Sequence, residues 1–472
     1  MFVNRIEAQV FTFEPDTTSV LRNPAMGWTL YEEGASFLEK DREYYDPVKF
    51  WKEMDEVNAS SYANILYIRV LWQVMEPEEG KFAWIYNEEY KEYIRKARSR
   101  GLKLAFRIFF DNGVPDWVYA AGCHSTLEPP MNLKSDKQPY YDDPIFLNKL
   151  EHFIKAFAKE YDNPAEVDFV DAYGLGRWGE GHGVTLKYAS NRSNVIQRVT
   201  ECYAKYFTKI LTVYNLSMAD WDISKPLVYD KLGFLPRRDG IGSHWYDDQE
   251  RNCMKELFPD KAVIGEGCYW FGYSKKDTTY DDQTDFINDP RFPGMKNWSD
   301  VLSVSVDDAI ASRSNTYDLR TPFECKVWLE QLPHKVQQFI THGGYRLFPD
   351  TIQVVKNENV LTISHSWKNR GIGVLPNKHP NWNYKYKVCF AVMDISTGNI
   401  IATHIDSKAE PSDWLLNNSY WYQVKMDLSS LPKSYNYKLA VAIIDTTTNK
   451  PGIILSVDNS LLKDGWLLLS SI

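Results

Sequence analysis

Two runs, Asn64-Ile-Leu-Tyr-Ile-Arg-Val-Leu-Trp72 and Leu102-Lys-Leu-Ala-Phe-Arg-Ile-Phe-Phe110, decide the fold. Each is nearly continuous in apolar residues and too short for a typical helix. That is the mark of a strand buried on both faces in a parallel sheet. Between them, residues 87–100 place Tyr90, Tyr93, Ile94 and Ala97 on one helical face, and Gly101 stands where a glycine commonly ends a helix. Strand, helix and strand make one βαβ unit.

The alternation continues outward from this unit. Residues 145–161 carry a helical stripe of Leu147, Leu150, Phe153, Ile154 and Phe157, and 167–173 form a strand. Residues 195–207 form a helix with Val195, Val199, Cys202 and Tyr206 inward. Shorter strand signals follow at 210–214, 240–244, 262–266 and 316–319, and 28–31 brings the strands to eight. Eight strands alternating with helices predict a (β/α)8 TIM barrel with insertions. A doubly wound sheet is the rival, but no Gly-x-Gly-x-x-Gly loop follows the first strand.

Near Gly343-Gly344-Tyr345-Arg346 the helical period stops. Short alternating runs at 351–355, 360–367, 386–394, 421–428, 437–445 and 453–457 predict a C-terminal antiparallel β-sandwich. The expected domains are a barrel over 1–345 and a sandwich over 346–472. A helix at 322–341 leads into the second with no flexible spacer, so the sandwich is expected to pack on the barrel. Trp382, Trp414 and Trp421 are its candidate exposed aromatics; a supporting role is favoured over sugar binding.

The 472 residues exceed one ordinary core. A net charge of −9 argues against a nucleic-acid partner, and no apolar run is long enough to span a bilayer. Aromatic residues make up 15% of the chain. Sugar C–H faces stack on such rings, so an acidic, aromatic-rich protein suits a carbohydrate partner. The six cysteines show no Cys-x-x-Cys or zinc spacing. Cys268 alone lies near a candidate site residue. No signal peptide opens the chain, and the expectation is export with the signal removed, ahead of a cytoplasmic location. Oligomeric state is not legible.

The chemistry concentrates in Glu166-Val-Asp-Phe-Val-Asp-Ala-Tyr-Gly-Leu-Gly-Arg-Trp-Gly-Glu-Gly-His182, a strand entering a Gly-rich loop that carries Glu180 between Trp178 and His182. A second carboxylate, Glu266, ends the run 262–266. Two carboxylates past the C-terminal ends of barrel strands are what glycoside hydrolysis needs: one protonates the leaving oxygen, the other attacks or activates water.

The run Trp72-Gln-Val-Met-Glu-Pro-Glu-Glu-Gly-Lys-Phe82, followed by a helix and Arg-Gly-Leu-Lys-Leu, resembles the second barrel unit of clan-A glycoside hydrolases of the β-galactosidase type. Asn23-Pro-Ala-Met-Gly-Trp28, Arg177-Trp-Gly-Glu-Gly-His182 and Gly344-Tyr-Arg346 are similar to a poorly characterised group of bacterial barrel-plus-sandwich proteins. The resemblance implies a retaining enzyme with Glu180 as acid/base, Glu266 as nucleophile and Arg69 supporting the nucleophile. The clan usually has Asn before its acid/base Glu, where this chain has Gly179. That departure motivates the alternative of a catalytically inactive carbohydrate-binding protein on the same scaffold.

Other strand-end residues are candidate substrate contacts: Arg107, Asp111, Asn112, His244, Trp245, Tyr246, Tyr269, Trp270 and Asp318, with Trp178 and His182. Arg320 lies beside Asp318. Glu32 and Glu33 are expected to be solvated or structural. No cofactor is expected and no metal site, since His182 and His244 lack a clear third ligand and His-Glu-x-x-His is absent. The Gly-x-Ser-x-Gly elbow of serine hydrolases is absent too.

Overall fold

The computed structural model describes residues 8–32, 47–110, 113–126, 138–243, 246–267, 298–320, 322–432 and 436–471. Eight parallel strands close into a barrel in sequence order: β1 Gly27–Glu32, β2 Ala63–Leu71, β3 Lys103–Phe109, β4 Val167–Asp171, β5 Leu211–Asn215, β6 Leu235–Ile241, β7 Val263–Gly267 and β8 Ser314–Leu319. Every residue of β2 is buried. Its alternate side chains serve two cores, because successive Cβ atoms of a strand point to opposite faces. Leu66, Ile68 and Val70 pack outward with the helices. Ile65 and Tyr67 point into the lumen.

That alternation grades the lumen. Ile65, Ala105, Phe169, Leu235 and Ile264 build an apolar floor. Two residues further along the same strands stand Tyr67, Arg107, Asp171, Arg237 and Glu266, all buried. The polar layer therefore lies toward the C-terminal ends of the strands.

The helices are capped as their sequences require. Asn87 accepts from the Tyr90 amide at 3.0 Å to start Glu88–Ser99. Asp143 accepts from the Ile145 amide at 2.8 Å to start Pro144–Tyr161. The helix expected over 322–341 is two, Pro322–Gln331 and Pro333–His342. Pro333 has no N–H to continue the first and is suited to the first turn of the second.

The resemblance motif at 72–82 builds the second unit. The buried Glu76 carboxylate accepts from the Trp72 indole at 2.9 Å and the Gly80 amide at 2.8 Å. Trp72 packs edge-on against Phe110, Trp117 and Phe146.

The C-terminal part is two antiparallel sheets. One orders Ala8–Thr12, Leu347–Asn357, Val360–Asn369 and Tyr420–Asp427. The other orders Ile400–Ile405, Tyr386–Asp394, Tyr437–Asp445, Trp466–Ser471 and Leu462–Lys463, with Lys450–Ile453 beside Tyr437–Asp445. Ile352, Val354, Ile363, Trp367, Val388, Phe390 and Val441 fill the space between them. Four of these strands escaped the sequence: Ala8–Thr12, Ile400–Ile405, Leu462–Lys463 and Trp466–Ser471. The run expected at 453–457 is a strand only as far as Ile453. Trp382 and Trp414 are buried, contrary to expectation, and Trp414 stacks on Trp367 at 4.9 Å. Trp421 is exposed (61%).

The segment 370–384 closes the barrel floor. Asn381 donates to the carbonyls of Phe207 (3.0 Å) and Ile210 (2.6 Å). The Thr212 amide donates to His379 Nε2 at 3.3 Å. Burial pushes the His379 imidazole down to about 3, so the ring is a neutral acceptor at pH 7. Asn315 on β8 donates to Ala25 and Val374 carbonyls. Arg346 donates to the carbonyls of Asp16, Ser19 and Ile340. Floor and sandwich share one hydrophobic cluster.

Strand β6 departs from the sequence reading. It runs Leu235–Ile241, not 240–244. Its body is Pro236-Arg237-Arg238-Asp239, which carries no apolar run. Arg237 and Arg238 are buried because a neighbouring strand and the following helix supply their partners: Arg237 meets Asp171, and Arg238 meets Glu250.

Candidate active site

The site is built around Arg107 of β3, whose side chain is wholly buried. Its Nε donates to Asp171 Oδ2 and to the Tyr67 hydroxyl oxygen, both at 2.7 Å. Its Nη1 donates to Glu180 Oε1 at 2.5 Å and to the Trp178 carbonyl at 3.3 Å. Its Nη2 donates to Glu266 Oε2 at 2.7 Å. One guanidinium therefore holds both candidate catalytic carboxylates, on its two terminal nitrogens. Burial works against its charge, but Tyr67, Tyr31, Glu180 and Asp171 outweigh it and hold the guanidinium charged well above its ordinary range.

Glu180 reaches Arg107 because the loop after β4 folds back on itself. The Arg177 amide donates to the His182 carbonyl at 2.7 Å, and the Gly181 amide to the Leu175 carbonyl at 2.9 Å. Trp178 adopts a left-handed backbone, and so does Gly179 with φ of 77°. A Cβ at 179 would stand 2.8 Å from Phe109 Cβ and 3.2 Å from Arg107 Cδ. Glycine there is a requirement of backbone and space. The side chain that clan-A enzymes carry at this point has no room in this loop.

Glu266 stands one residue before the end of β7, and β7 shifts register against β6 between Gly265 and Gly267. Besides Arg107, Arg237 Nη2 pairs with its Oε2, and Arg320 Nη2 lies 3.8 Å from its Oε1. These guanidinia favour the ionised carboxylate. Arg69 had been expected in this role. It stands beside Arg107 in the β2–β3 register and reaches the Tyr31 hydroxyl at 3.4 Å.

Glu180 differs. Burial pushes its carboxyl up and the nearby Asp239 charge adds to this, against the pull of Arg107, Arg69 and Arg237. Its second oxygen, Oε2, lies 3.8 Å from His182 Nε2, and the same nitrogen is 3.9 Å from Asp239 Oδ2. The ligand-type atoms of Glu180, His182 and Asp239 lie within 4.8 Å of one another. Arg107 on Glu180 and Arg238 on Asp239 already supply positive charge to this cluster. Partial burial raises the Asp239 carboxyl, but Arg238 and the nearby His182 prevail and hold it well below the usual range. The nearby Asp239 carboxylate raises the His182 imidazole above its ordinary value, against burial.

The structure thus brings together Glu180, Glu266, Arg107 and His182, with Arg69 and Asp318 on the same barrel end. Trp178 is partly exposed, with the Arg177 guanidinium 4.0 Å from its ring. Tyr246 is buried against Arg251 and Arg238. Asp111, Asn112, His244, Trp245, Tyr269 and Trp270 lie outside the described residues, as do Cys268 and Glu33. The sequence reading missed Tyr67, Asp171, Asn215, Arg237 and Asp239. A period-two reading of Leu235-x-Arg237-x-Asp239 as one inward face would have found the last two.

Asp318 accepts the Gly267 amide at 2.7 Å, and Arg320 Nη2 lies 3.5 Å away. Burial pushes its carboxyl up to about 6, against Arg320 and the amide. A folded value above the unfolded one gives stability that is complete below about pH 4 and is lost as pH rises through 6. Asp318→Asn keeps an oxygen for the amide and does not titrate. Wild type should therefore lose on the order of 3 kcal/mol relative to this variant between pH 4 and 7. Denaturant unfolding across that range measures it, and parallel pH curves would contradict it.

No helix among the described residues is long and apolar enough to cross a membrane. No protein-family model and no curated protein matches the chain. Solved structures do. Endo-glycoceramidase II from Rhodococcus sp. is 12% identical, covering 88% of this chain and 100% of its own, with a TM-score of 0.43. An endogalactoceramidase is 12% identical over 75% of this chain and 90% of its own, at 0.43. A β-galactosidase from Rahnella sp. R3 is 11% identical over 71% of this chain and 59% of its own, at 0.44. Likeness at this level does not bear on the chemistry, which stands on the residues above.

Proposed function

We propose that this protein is a retaining glycoside hydrolase, with Glu180 as acid/base and Glu266 as nucleophile. The observation that carries this is the Arg107 guanidinium, which holds one oxygen of each carboxylate. Two carboxylates on adjacent nitrogens of one group are close neighbours. That favours the spacing of about 5–5.5 Å found in retaining enzymes over the 6.5–9.5 Å that leaves room for water.

The two environments push the carboxylates apart in charge, as the division of labour needs. Glu180 is buried and faces Asp239, which favours the protonated form that gives its proton to the leaving oxygen. Glu266 sits among Arg107, Arg237 and Arg320 and stays ionised to attack the anomeric carbon. Glu180, by then a carboxylate, takes a proton from the water that releases the sugar. The barrel's polar layer is fixed by strands, so the groups need little reorganisation. The inactive-binder alternative rested on Gly179, for which loop geometry supplies a different reason.

A panel of aryl glycosides and oligosaccharides tests the proposal on wild type, Glu180→Gln and Glu266→Gln. Hydrolysis by wild type that is lost in both variants supports an enzyme. Tight sugar binding without turnover in wild type would make the protein a binder.

A further inference from the structure

Glu180 makes its described bond through Oε1 only, to Arg107. Oε2 faces His182 at 3.8 Å, and His182 faces Asp239 at 3.9 Å. Asp239 is fixed from behind. Arg238 pairs with its Oδ1, and Glu250 accepts from Arg238 Nη2 at 2.7 Å. Asn215 links the two ends: its Nδ2 lies 3.2 Å from Asp239 Oδ1 and 3.2 Å from the Glu180 carbonyl oxygen. The chain Glu250–Arg238–Asp239–His182 thus runs from a helix to the free oxygen of Glu180.

We propose that His182 and Asp239 are positioning residues for Glu180, an imidazole held by a fixed carboxylate on Oε2, and that this pair sets the charge state in which Glu180 rests. The proposal rests on the reading of Glu180 as acid/base. No covalent step passes through the pair. Asp239 keeps the proton on Glu180 before the leaving group departs. When protonated, His182 steadies the Glu180 carboxylate afterwards, as that group acts as a base.

The other charges around Glu180 come from every neighbouring strand: Arg69 on β2, Arg107 on β3, Asp171 on β4, Arg237 and Arg238 on β6, and Glu266 on β7. Against that fixed background the two members of the pair act in opposite senses. Asp239 disfavours the Glu180 anion, and protonated His182 favours it. Replacing each in turn therefore separates their roles from a general disturbance of the site.

The test uses Asp239→Asn and His182→Gln in the full chain. Arg238 keeps Glu250 in the first variant, and His182 is partly exposed, so both are expected to fold. The basic limb of the kcat/KM profile should move to lower pH in Asp239→Asn and to higher pH in His182→Gln, each by about 1 unit. The Glu180 carboxyl, followed by infrared difference against Glu180→Gln, should titrate with the same two shifts whether or not a substrate turns over. If wild type hydrolyses nothing and the infrared shifts appear, the enzyme reading fails and the pair stands. Shifts of the same sign, or lower turnover with unmoved titrations, overturn the pair. So would turnover abolished by chelation, which would make the cluster a cation site.

Discussion

Glu266→Gln should abolish hydrolysis of every glycoside that wild type cleaves, a fall in kcat on the order of 10⁴-fold or more. Gln keeps a hydrogen-bonding oxygen for Arg107, so the loss is one of nucleophilicity and not of shape. Glu180→Gln should behave differently with the leaving group. A poor leaving group needs the proton, and turnover should fall about 10²–10⁴-fold. Dinitrophenolate departs unprotonated, so glycosylation should persist and only the release of the sugar should slow. The expected trace is a burst of one equivalent of dinitrophenol followed by a slow steady state. Equal losses with both leaving groups would remove Glu180 from the acid role.

The second large effect belongs to Arg107. Arg107→Met keeps much of the volume and removes the charge that satisfies Asp171, Glu180 and Glu266 together. Leaving such carboxylates buried without their partner is expected to cost about 3–5 kcal/mol. Arg237 still reaches Asp171 and Glu266, which limits the loss. Because Arg107 pulls the Glu180 carboxyl down, its removal should raise that group further. Denaturant unfolding measures the first effect and the Glu180 titration the second. A variant as stable as wild type would show that Arg107 is not the hub of the layer.

The parts of the fold that rest on local pattern were legible in the sequence. β2 and β3 announce themselves because both faces of each strand meet apolar neighbours. Tyr386–Asp394 and Tyr437–Asp445 show the same, lying at the centre of their sheet. β6 was displaced because its inward residues, Arg237 and Asp239, and its outward Arg238 are satisfied by partners distant in sequence. No local hydrophobic period can show that. Ile400–Ile405 and Ala8–Thr12 are edge strands, so exposure weakens their alternation.

The site divides in the same way. Glu180 and Glu266 stand at strand ends with glycines around them, a pattern visible along the chain. The choice of Arg69 as the partner of Glu266 depended on which of two residues, side by side in register, reaches across the lumen. The structure gives that contact to Arg107, with Arg237 from a strand the sequence misplaced. Trp414 was expected to be an exposed aromatic; it stacks on Trp367 between the sheets.

The central claim is that Glu266 forms a covalent bond to the sugar while Glu180 handles the proton. The most direct measurement is to inactivate the protein with a 2-deoxy-2-fluoro glycoside carrying a dinitrophenyl leaving group, built on whichever sugar the screen identifies, and to map the adduct by peptide mass spectrometry. The account predicts one sugar per chain, on the peptide carrying Glu266, and none in Glu266→Gln. An adduct on any other residue, or turnover without inactivation and with inverted product configuration, would contradict it.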